Sequence, residues 1–339
     1  VTSDTAVELS RAGTMIELGR YDEAAGLLAS VVAAAPDAPR AWCLLSRAHL
    51  GAGRGAEAVL AARQAATLNP ADDWPHRLES TALVSLGRGH EALAAAAEAR
   101  RLAPGFWRSH VCLAQAAVAA GDQDPAVAAE AAAAALAIAP DEPDVHFTAG
   151  KVALSAGDLT RAREHQQAAL AIDPRHAGAT NELGRISLRE RNAGSAAGYF
   201  LRAARAAPGV GIFGRNTEVA LAKVLTNITV PVALVVAVGI DLPILTDAPR
   251  LPFVVMMAVL TALTLGYAAH QVRMLPADGR RHLARMLRRR RWLLTIAAII
   301  GIVVILATFA ALVLNLVKSG NSVLLPCTIV IVAVAARAL

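Results

Sequence analysis

Cysteine, lysine and, over most of its length, any excess of positive charge are scarce in this 339-residue chain, and each scarcity excludes something. Cys43, Cys112 and Cys327 are odd in number and far apart, which leaves no disulfide framework and no zinc-ligand spacing and suits a reducing compartment. Lysine occurs only at Lys151, Lys223 and Lys318, so positive charge is almost all arginine; with abundant alanine this points to a high-GC bacterial source. Up to residue 208 there are 20 basic and 23 acidic side chains, and after it 13 and 4, so the net charge of +6 belongs to the C-terminal third. Phosphate binding wants a basic domain face, and nucleic acid is therefore excluded as the main ligand of the N-terminal part. The first residues, VTSDTAVELSRAG, lack a basic stretch followed by an apolar core, so no secretory signal is expected there.

What the chain does have is apolar residues, 55% of the total, with a mean hydropathy of +0.46, high for a purely soluble protein. They are unevenly spread. Residues 1 to about 208 are rich in alanine with charges at regular intervals, whereas 219–339 contains long valine, isoleucine and leucine runs.

The N-terminal part is periodic. Pro36, Pro70 and Pro104 lie 34 residues apart, Pro140 follows after 36, and Pro174 and Pro208 at 34 again. Each closes an alanine-rich segment, as in SVVAAAP or QAATLNP, the pattern of a helix that ends shortly before a residue unable to continue it. About 17 residues before each of the first five prolines comes a turn signal, such as LGRYDEA, AGRGAEA or AGDLTRA. That spacing predicts helix, short turn, helix, six times over. Ala24, Ala58, Ala92, Ala162 and Ala196 fall where the two helices of a hairpin must approach closely. Leu28, Leu45, Leu83, Leu113, Leu183 and Phe200 fall at the seams.

These units resemble tetratricopeptide repeats over roughly residues 4–208. The sixth carries Leu183-Gly184, Ala196, Phe200, Ala203 and Pro208 at the family's spacing; the first has Gly19, Tyr21, Ala24 and Pro36, and the second Trp42. Two departures stand out: two extra residues around Gln123 to Pro125 in unit four, and Arg191 where a turn glycine is usual in unit six. The resemblance implies an all-α solenoid whose stacked hairpins bend into a superhelix, with a concave face lined by the first helix of each unit. Register then places Arg40, Arg47, Trp74, Arg77, Arg108, Gln115, Lys151, Asn181, Glu182, Arg185 and Arg189 along that face. Arg40, Trp74 and Arg108, 34 apart, would form a ladder suited to an acidic or carboxylate-bearing segment of a partner protein. The alternative is a solvated arginine face with no ligand. The family's chaperone-tail clamp is not expected, because its asparagine positions are Gly13 and Leu44 here.

Residues 209–218 are expected as a hinge and 219–339 as a bundle of about four transmembrane helices, a span needing about 20 apolar residues. The candidate spans are 219–240, 251–270, 292–317 and 322–337, the last short and interrupted by Pro326. Loop 271–291 carries eight arginines, Arg273, Arg280, Arg281, Arg285 and Arg288, Arg289, Arg290, Arg291, and is expected on the cytoplasmic side, with 241–250 outside and the repeats in the cytoplasm. Within RRHLARMLRRRRW, Leu283, Met286 and Leu287 share a helical face, so this stretch is expected either to lie in the headgroup layer against anionic lipid or to act only as a topology signal.

Other signals carry no chemistry. GVGIFG at 209–214 satisfies G-x-G-x-x-G but follows a helix rather than a strand, and no acidic residue comes at the required distance. His90-Glu91 lacks the second histidine of a zinc helix, and His110 and His146 suit packing or the groove better than ligation. No charged residue sits near the middle of a candidate span, which disfavours transport. Asp241 and Asp247 are the only acidic pair on an outer loop, a thin basis for a membrane enzyme. The expectation is a non-enzymatic scaffold at the inner membrane with no cofactor and no metal. The alternative is an accessory subunit of a larger integral-membrane transporter, secretion or envelope complex.

Overall fold

The structure, a computed structural model, describes residues 3–121, 125–245, 250–273, 275 and 277–288. Among the described residues there are fifteen helices and no strand. Five hairpins come first: α1 (Ser3–Glu17) with α2 (Tyr21–Ala34), α3 (Pro39–Gly51) with α4 (Gly55–Leu68), α5 (Asp73–Ser85) with α6 (Gly89–Leu102), α7 (Trp107–Ala120) with α8 (Pro125–Ile138), and α9 (Pro143–Ser155) with α10 (Leu159–Ile172). A sixth consists of α11 (Ala177–Arg189) and α12 (Ala193–Ala206), followed by α13 (Gly211–Leu245), α14 (Arg250–Arg273) and α15 (Ala277–Arg288). By packing the chain divides into two units, one of residues 1–186 and 203–209, the other of 187–202 and 210–339.

Local rules explain the helix boundaries. Alanine, the best helix former, fills the interiors. Pro39 and Pro143 start α3 and α9, where a missing N–H costs nothing, and the Asp72 and Asp158 carboxylates accept from the N–H groups of Trp74 and Arg161 at 3.0 and 2.9 Å. Each second helix stops two residues before its proline, at Ala34, Leu68, Leu102, Ile138 and Ile172. The first helices of hairpins one, two, three and five end in a paired cap. The N–H of a glycine at positive φ donates three residues back and the next N–H donates five back, as in Gly53 to Leu50 (3.0 Å) and Arg54 to His49 (2.8 Å). Arg191 closes the sixth hairpin's first helix through the same two bonds, Arg191 to Leu188 and Asn192 to Ser187, at φ 61°. The turn is kept without its glycine, at a conformational cost of about 1–2 kcal/mol for a side chain held there. The extra residues of unit four fall mainly on 122–124, outside the described residues.

In the first unit each helix packs on the next, and the first helices also pack on one another, α1 on α3, α3 on α5, α5 on α7 and α7 on α9. The first helices therefore share one face, which is the inner face of a helical-hairpin stack. Ala24, Ala58, Ala92 and Ala162 are fully buried at the crossings within hairpins, and Leu28, Leu45, Leu83 and Leu113 are buried in the seams. In places even a methyl is excluded, as at Gly89, where a Cβ would fall 2.3 Å from the Ala119 carbonyl oxygen. A Cβ on Gly150 would fall 2.3 Å from Nε2 of Gln166, which is itself fully buried and donates to the Phe147 carbonyl at 3.1 Å.

The second unit has its own core: Ala193, Ala196, Ala197 and Phe200 of α12 pack with Ala220, Leu221, Val224 and Leu225 of α13 and with Leu275 and Leu283. Several expectations are corrected here. The hinge expected at 209–218 is helical from Gly211 onward; the N–H of Phe213 donates to the Val210 carbonyl and the hydroxyl of Thr217 to the Phe213 carbonyl. Among the described residues no helix is long and apolar enough to cross a membrane. The expected spans 219–240 and 251–270 lie inside α13 and α14 and are not seen as spans; the first part of 219–240 buries Ala220, Leu221, Val224 and Leu225 against protein. The segments 292–317 and 322–337 lie outside the described residues, as do Arg289, Arg290 and Arg291. Leu283, expected to face lipid, is 5% exposed in the protein core of this unit.

Two substitutions test the caps. Arg191→Gly is expected to raise the urea midpoint, by about 0.5–1 kcal/mol after the added flexibility of the unfolded chain is offset. Gly87→Ala, at φ +72° with open space around its Cβ, is expected to lower it by about 1 kcal/mol through backbone strain alone. A midpoint unchanged in both variants would mean the turns do not hold these angles.

Candidate functional site

The shared face of the first helices carries its side chains in ladders, because one position in each helix recurs in the next. The second residues are Arg40, Trp74, Arg108, Asp144 and Gly178; the fifth are Cys43, Arg77, Val111, Phe147 and Asn181; the ninth are Arg47, Thr81, Gln115, Lys151 and Arg185. The middle of this face is a cleft of about 230 Å³. Arg77 and Thr81 of α5 line it, with Trp107, Arg108, Val111, Cys112 and Gln115 of α7 and Asp144 and Phe147 of α9.

Its cations are not equivalent. Arg77 donates to the Asp73 carboxylate one turn back (2.5 Å), which also accepts from the Ser109 hydroxyl at 3.2 Å, so its charge is met internally. Arg185 is likewise forked onto Glu182 at 2.9 and 3.0 Å. Arg108 is exposed and has no ion pair among the described residues; its guanidinium lies over the Trp107 ring, 4.1 Å from the centroid, and 5.8 Å from the Phe106 centroid, while Arg77 stands 5.0 Å from the same Phe106 ring. Stacking fixes the plane of the Arg108 fork and leaves its edge available to a carboxylate. Lys151 reaches over the Phe147 ring at 5.5 Å, and burial pushes its ammonium below the ordinary lysine range, with Glu182 pulling it only partly back. A cation stripped of water and only partly compensated gains by meeting an anion. Gln115 donates from Nε2 to Thr148 Oγ1 at 3.1 Å.

One acid also faces the cleft. His176 accepts from the Ala179 N–H through Nδ1 at 3.0 Å, which assigns its proton to Nε2, and Nε2 donates to Asp144 Oδ1 at 3.1 Å. This bond holds the Asp144 carboxyl below the usual carboxylate range against the opposing effect of burial. The ring of His176 packs 5.0 Å from that of Phe147.

The residues anticipated from sequence are thus partly brought together. Arg77, Arg108 and Gln115 line one cleft, with Lys151 on the same face. Arg40 and Arg47 are exposed on α3, away from that lining. Trp74 is half-buried with Trp42 against Cys43, Ala62, Ala65 and Leu78, a seam between repeats. Asn181 is buried in α11, and Arg189 belongs to the second unit. Sequence reasoning passed over Phe106, Trp107, Phe147, Asp73 and Asp144. Asp144 was hidden because the insertion puts it 36 rather than 34 residues after Arg108, out of the ladder's apparent register.

No redox or metal chemistry is evident in what is described. Burial pushes the Cys43 thiol up to about 12 and the Cys112 thiol upward as well, so neither is a ready nucleophile. Among the described residues no group of three or more histidine, cysteine, aspartate or glutamate side chains could hold a metal ion. A second cleft, about 330 Å³ between α8 and the fifth hairpin, is lined chiefly by alanines such as Ala129, Ala132 and Ala149, with His165 among the polar residues at its wall. It is the gap left where the alanine-rich face of α8 meets its neighbour.

Beside it, His146 Nδ1 and His165 Nδ1 are 3.4 Å apart, and His146 Nε2 is 2.9 Å from the Pro140 carbonyl. The carbonyl assigns the His146 proton to Nε2, so its Nδ1 accepts from His165. Burial first, and His146 second, hold the His165 ring below the ordinary histidine range. The stability that the neutral His165 ring contributes is present above about pH 6.5, its unfolded value, and is lost as pH falls through the lower folded value. Lowering the pH from neutrality toward 5 is therefore expected to lower the thermal midpoint, and His165→Gln to flatten that dependence. An identical pH profile in the variant would remove the pair as its origin.

A family model described as tetratricopeptide repeat matches residues 16–73, 113–177 and 147–210. No curated protein matches the sequence. Among solved structures, a tetratricopeptide repeat protein from Parabacteroides merdae is 12% identical with a TM-score of 0.55 over 64% of this chain and 84% of its own. PilW, a type IV pilus biogenesis factor, is 15% identical with a TM-score of 0.50 over 65% of this chain and 100% of its own. A thermophilic repeat protein of Thermus thermophilus is 22% identical with a TM-score of 0.49, over 54% and 99%. At these identities the likeness to the first two is one of fold.

Proposed function

We propose, on the premise that residues 16–73 and 113–210 are tetratricopeptide repeats, which serve as protein–protein interaction scaffolds, that the cleft on α5, α7 and α9 receives an acidic or carboxylate-bearing segment of a partner protein. The observation that carries this reading is the pair of unlike cations on one face: Arg108, oriented by Trp107 and in no ion pair among the described residues although its charge reaches Asp144, and Lys151, desolvated and only partly compensated. Trp107 and Phe147 supply flat apolar walls, and Gln115 a polar contact between them. Arg77 is a fixed wall of the cleft rather than a docking cation, since Asp73 already holds it. The protein acts in this reading as a scaffold, not as an enzyme.

We further propose that the chain works at the bacterial inner membrane, with the repeats on the cytoplasmic side and the apolar stretches 292–317 and 322–337 providing the attachment. Support comes from composition: the 292–317 stretch has no charged side chain and directly follows Arg288, Arg289, Arg290 and Arg291.

Cross-linking in native membranes, followed by identification of the attached protein, tests the groove. Arg108→Glu with Lys151→Glu is expected to reduce the yield of the cross-linked partner about tenfold or more, because a guest carboxylate would then meet like charge. Arg40→Glu is expected to leave it nearly unchanged. Equal yields from wild type and the double variant would remove the groove as the docking site.

A further inference from the structure

We propose that Asp144 is a specificity-determining residue of the cleft: it receives a guanidinium or ammonium group of the same partner segment whose carboxylates meet Arg108 and Lys151, so that the guest is a segment of mixed charge rather than a purely acidic one. This role rests on the cleft being a protein-docking groove and specifies what the guest must carry. Asp144 lines the cleft together with Arg108 and Phe147, and its side chain is 57% exposed. The side chain that holds it is not: His176 is 13% exposed, its ring 5.0 Å from that of Phe147. With Nδ1 occupied by the Ala179 N–H, His176 has only Nε2 to donate to Asp144 Oδ1, at 3.1 Å. A neutral imidazole fixes the carboxylate in place without cancelling its charge. Among the described residues Asp144 makes no other hydrogen bond and no ion pair with an arginine or lysine. The charge of Arg108 reaches it across the face, while the Arg108 guanidinium stays over the Trp107 ring.

The charge pattern follows from register. Arg108 and Asp144 are the second residues of α7 and α9, which pack directly on one another. Gln115 and Lys151 are the ninth residues, roughly 10 Å further along the helix axes. One end of this face is thus a cation beside an anion, and the other a cation beside an amide. A guest carboxylate that takes the edge of the Arg108 fork arrives next to a fixed negative charge and draws off the compensation that Arg108 gives it. In a purely acidic guest that repulsion is unrelieved. A cation carried by the guest at Asp144 converts it into a second attraction and sets each charge opposite one of the other sign. Packed helices lie about 8–10 Å apart, which an extended chain covers in about two to three residues. The acid for Arg108 and the base for Asp144 are therefore expected at that spacing in the guest.

The test selects short peptides from a random displayed library on the full chain in mild detergent, discarding those that also bind the Arg108→Glu, Lys151→Glu double variant. The retained peptides are expected to pair an acidic residue with lysine or arginine about two to three positions away. The tightest of them is then labelled for fluorescence anisotropy. Asp144→Asn is expected to weaken its binding about fivefold, the scale of one partly exposed ion pair, and Asp144→Lys to weaken it further. Replacing the peptide's base by glutamine is expected to cost as much and to abolish the effect of Asp144→Asn. The peptide with its base replaced by glutamate is expected to bind Asp144→Lys more tightly than wild type, a gain that misfolding does not produce. Retained peptides that are acidic only, or that bind wild type and Asp144→Asn equally, would overturn the role of Asp144 and leave the acidic-guest reading of the cleft standing. If no peptide distinguishes wild type from the double variant, the docking groove falls and the role of Asp144 with it.

Discussion

Alanine at the crossing of the two helices in each hairpin sets the separation on which the rest of the first unit depends. With Ala24, Ala58, Ala92 and Ala162 wholly buried, the backbones approach closely enough for each hairpin to act as one thin slab, and leucines such as Leu28 and Leu83 then bond slab to slab. At Gly150 the side chain is absent and a buried glutamine takes the space. No single hairpin could bury these faces alone, so the stack is cooperative between neighbours. Its regular spacing is what turns isolated side chains into ladders.

The groove inherits its character from that regularity and from two local exceptions. Regularity aligns Arg108 with Asp144 and Gln115 with Lys151 on adjacent helices. The exceptions concern charge: Asp73 neutralises Arg77, and Glu182 neutralises Arg185, from within their own helices. A face that is uniformly basic by count becomes one with a few available cations, oriented on Trp107 and Phe147, beside an acid held ionised by His176. Available charge on this face therefore varies with position as well as with sign.

The second unit follows a different logic. Phe200, fully buried, gathers alanines and leucines from α12 and α13 together with Leu275 and Leu283. Ala220, Leu221, Val224, Leu225 and Leu283, which could have faced a bilayer, find protein partners instead, while Arg280, Arg281 and Arg285 are exposed. The same amphipathic pattern can satisfy either lipid or protein, since both remove apolar surface from water.

By itself the sequence determined the repeat: prolines at intervals of 34, turn glycines, and small residues at the crossings report backbone geometry directly, because proline and glycine act through φ and through a missing N–H wherever they occur. It also marked Arg108, Gln115 and Lys151 as lying on one face, since register follows from period. Tertiary structure alone decided which arginines are already paired, that Trp74 belongs to a seam while Trp107 orients a guanidinium, that Asp144 rejoins the ladder despite the insertion, and that Leu283 faces protein. These depend on which side chains meet across helices far apart in the chain. A periodic pattern names the face but not the neighbour, and the energy of a charge or an apolar side chain is set by the neighbour.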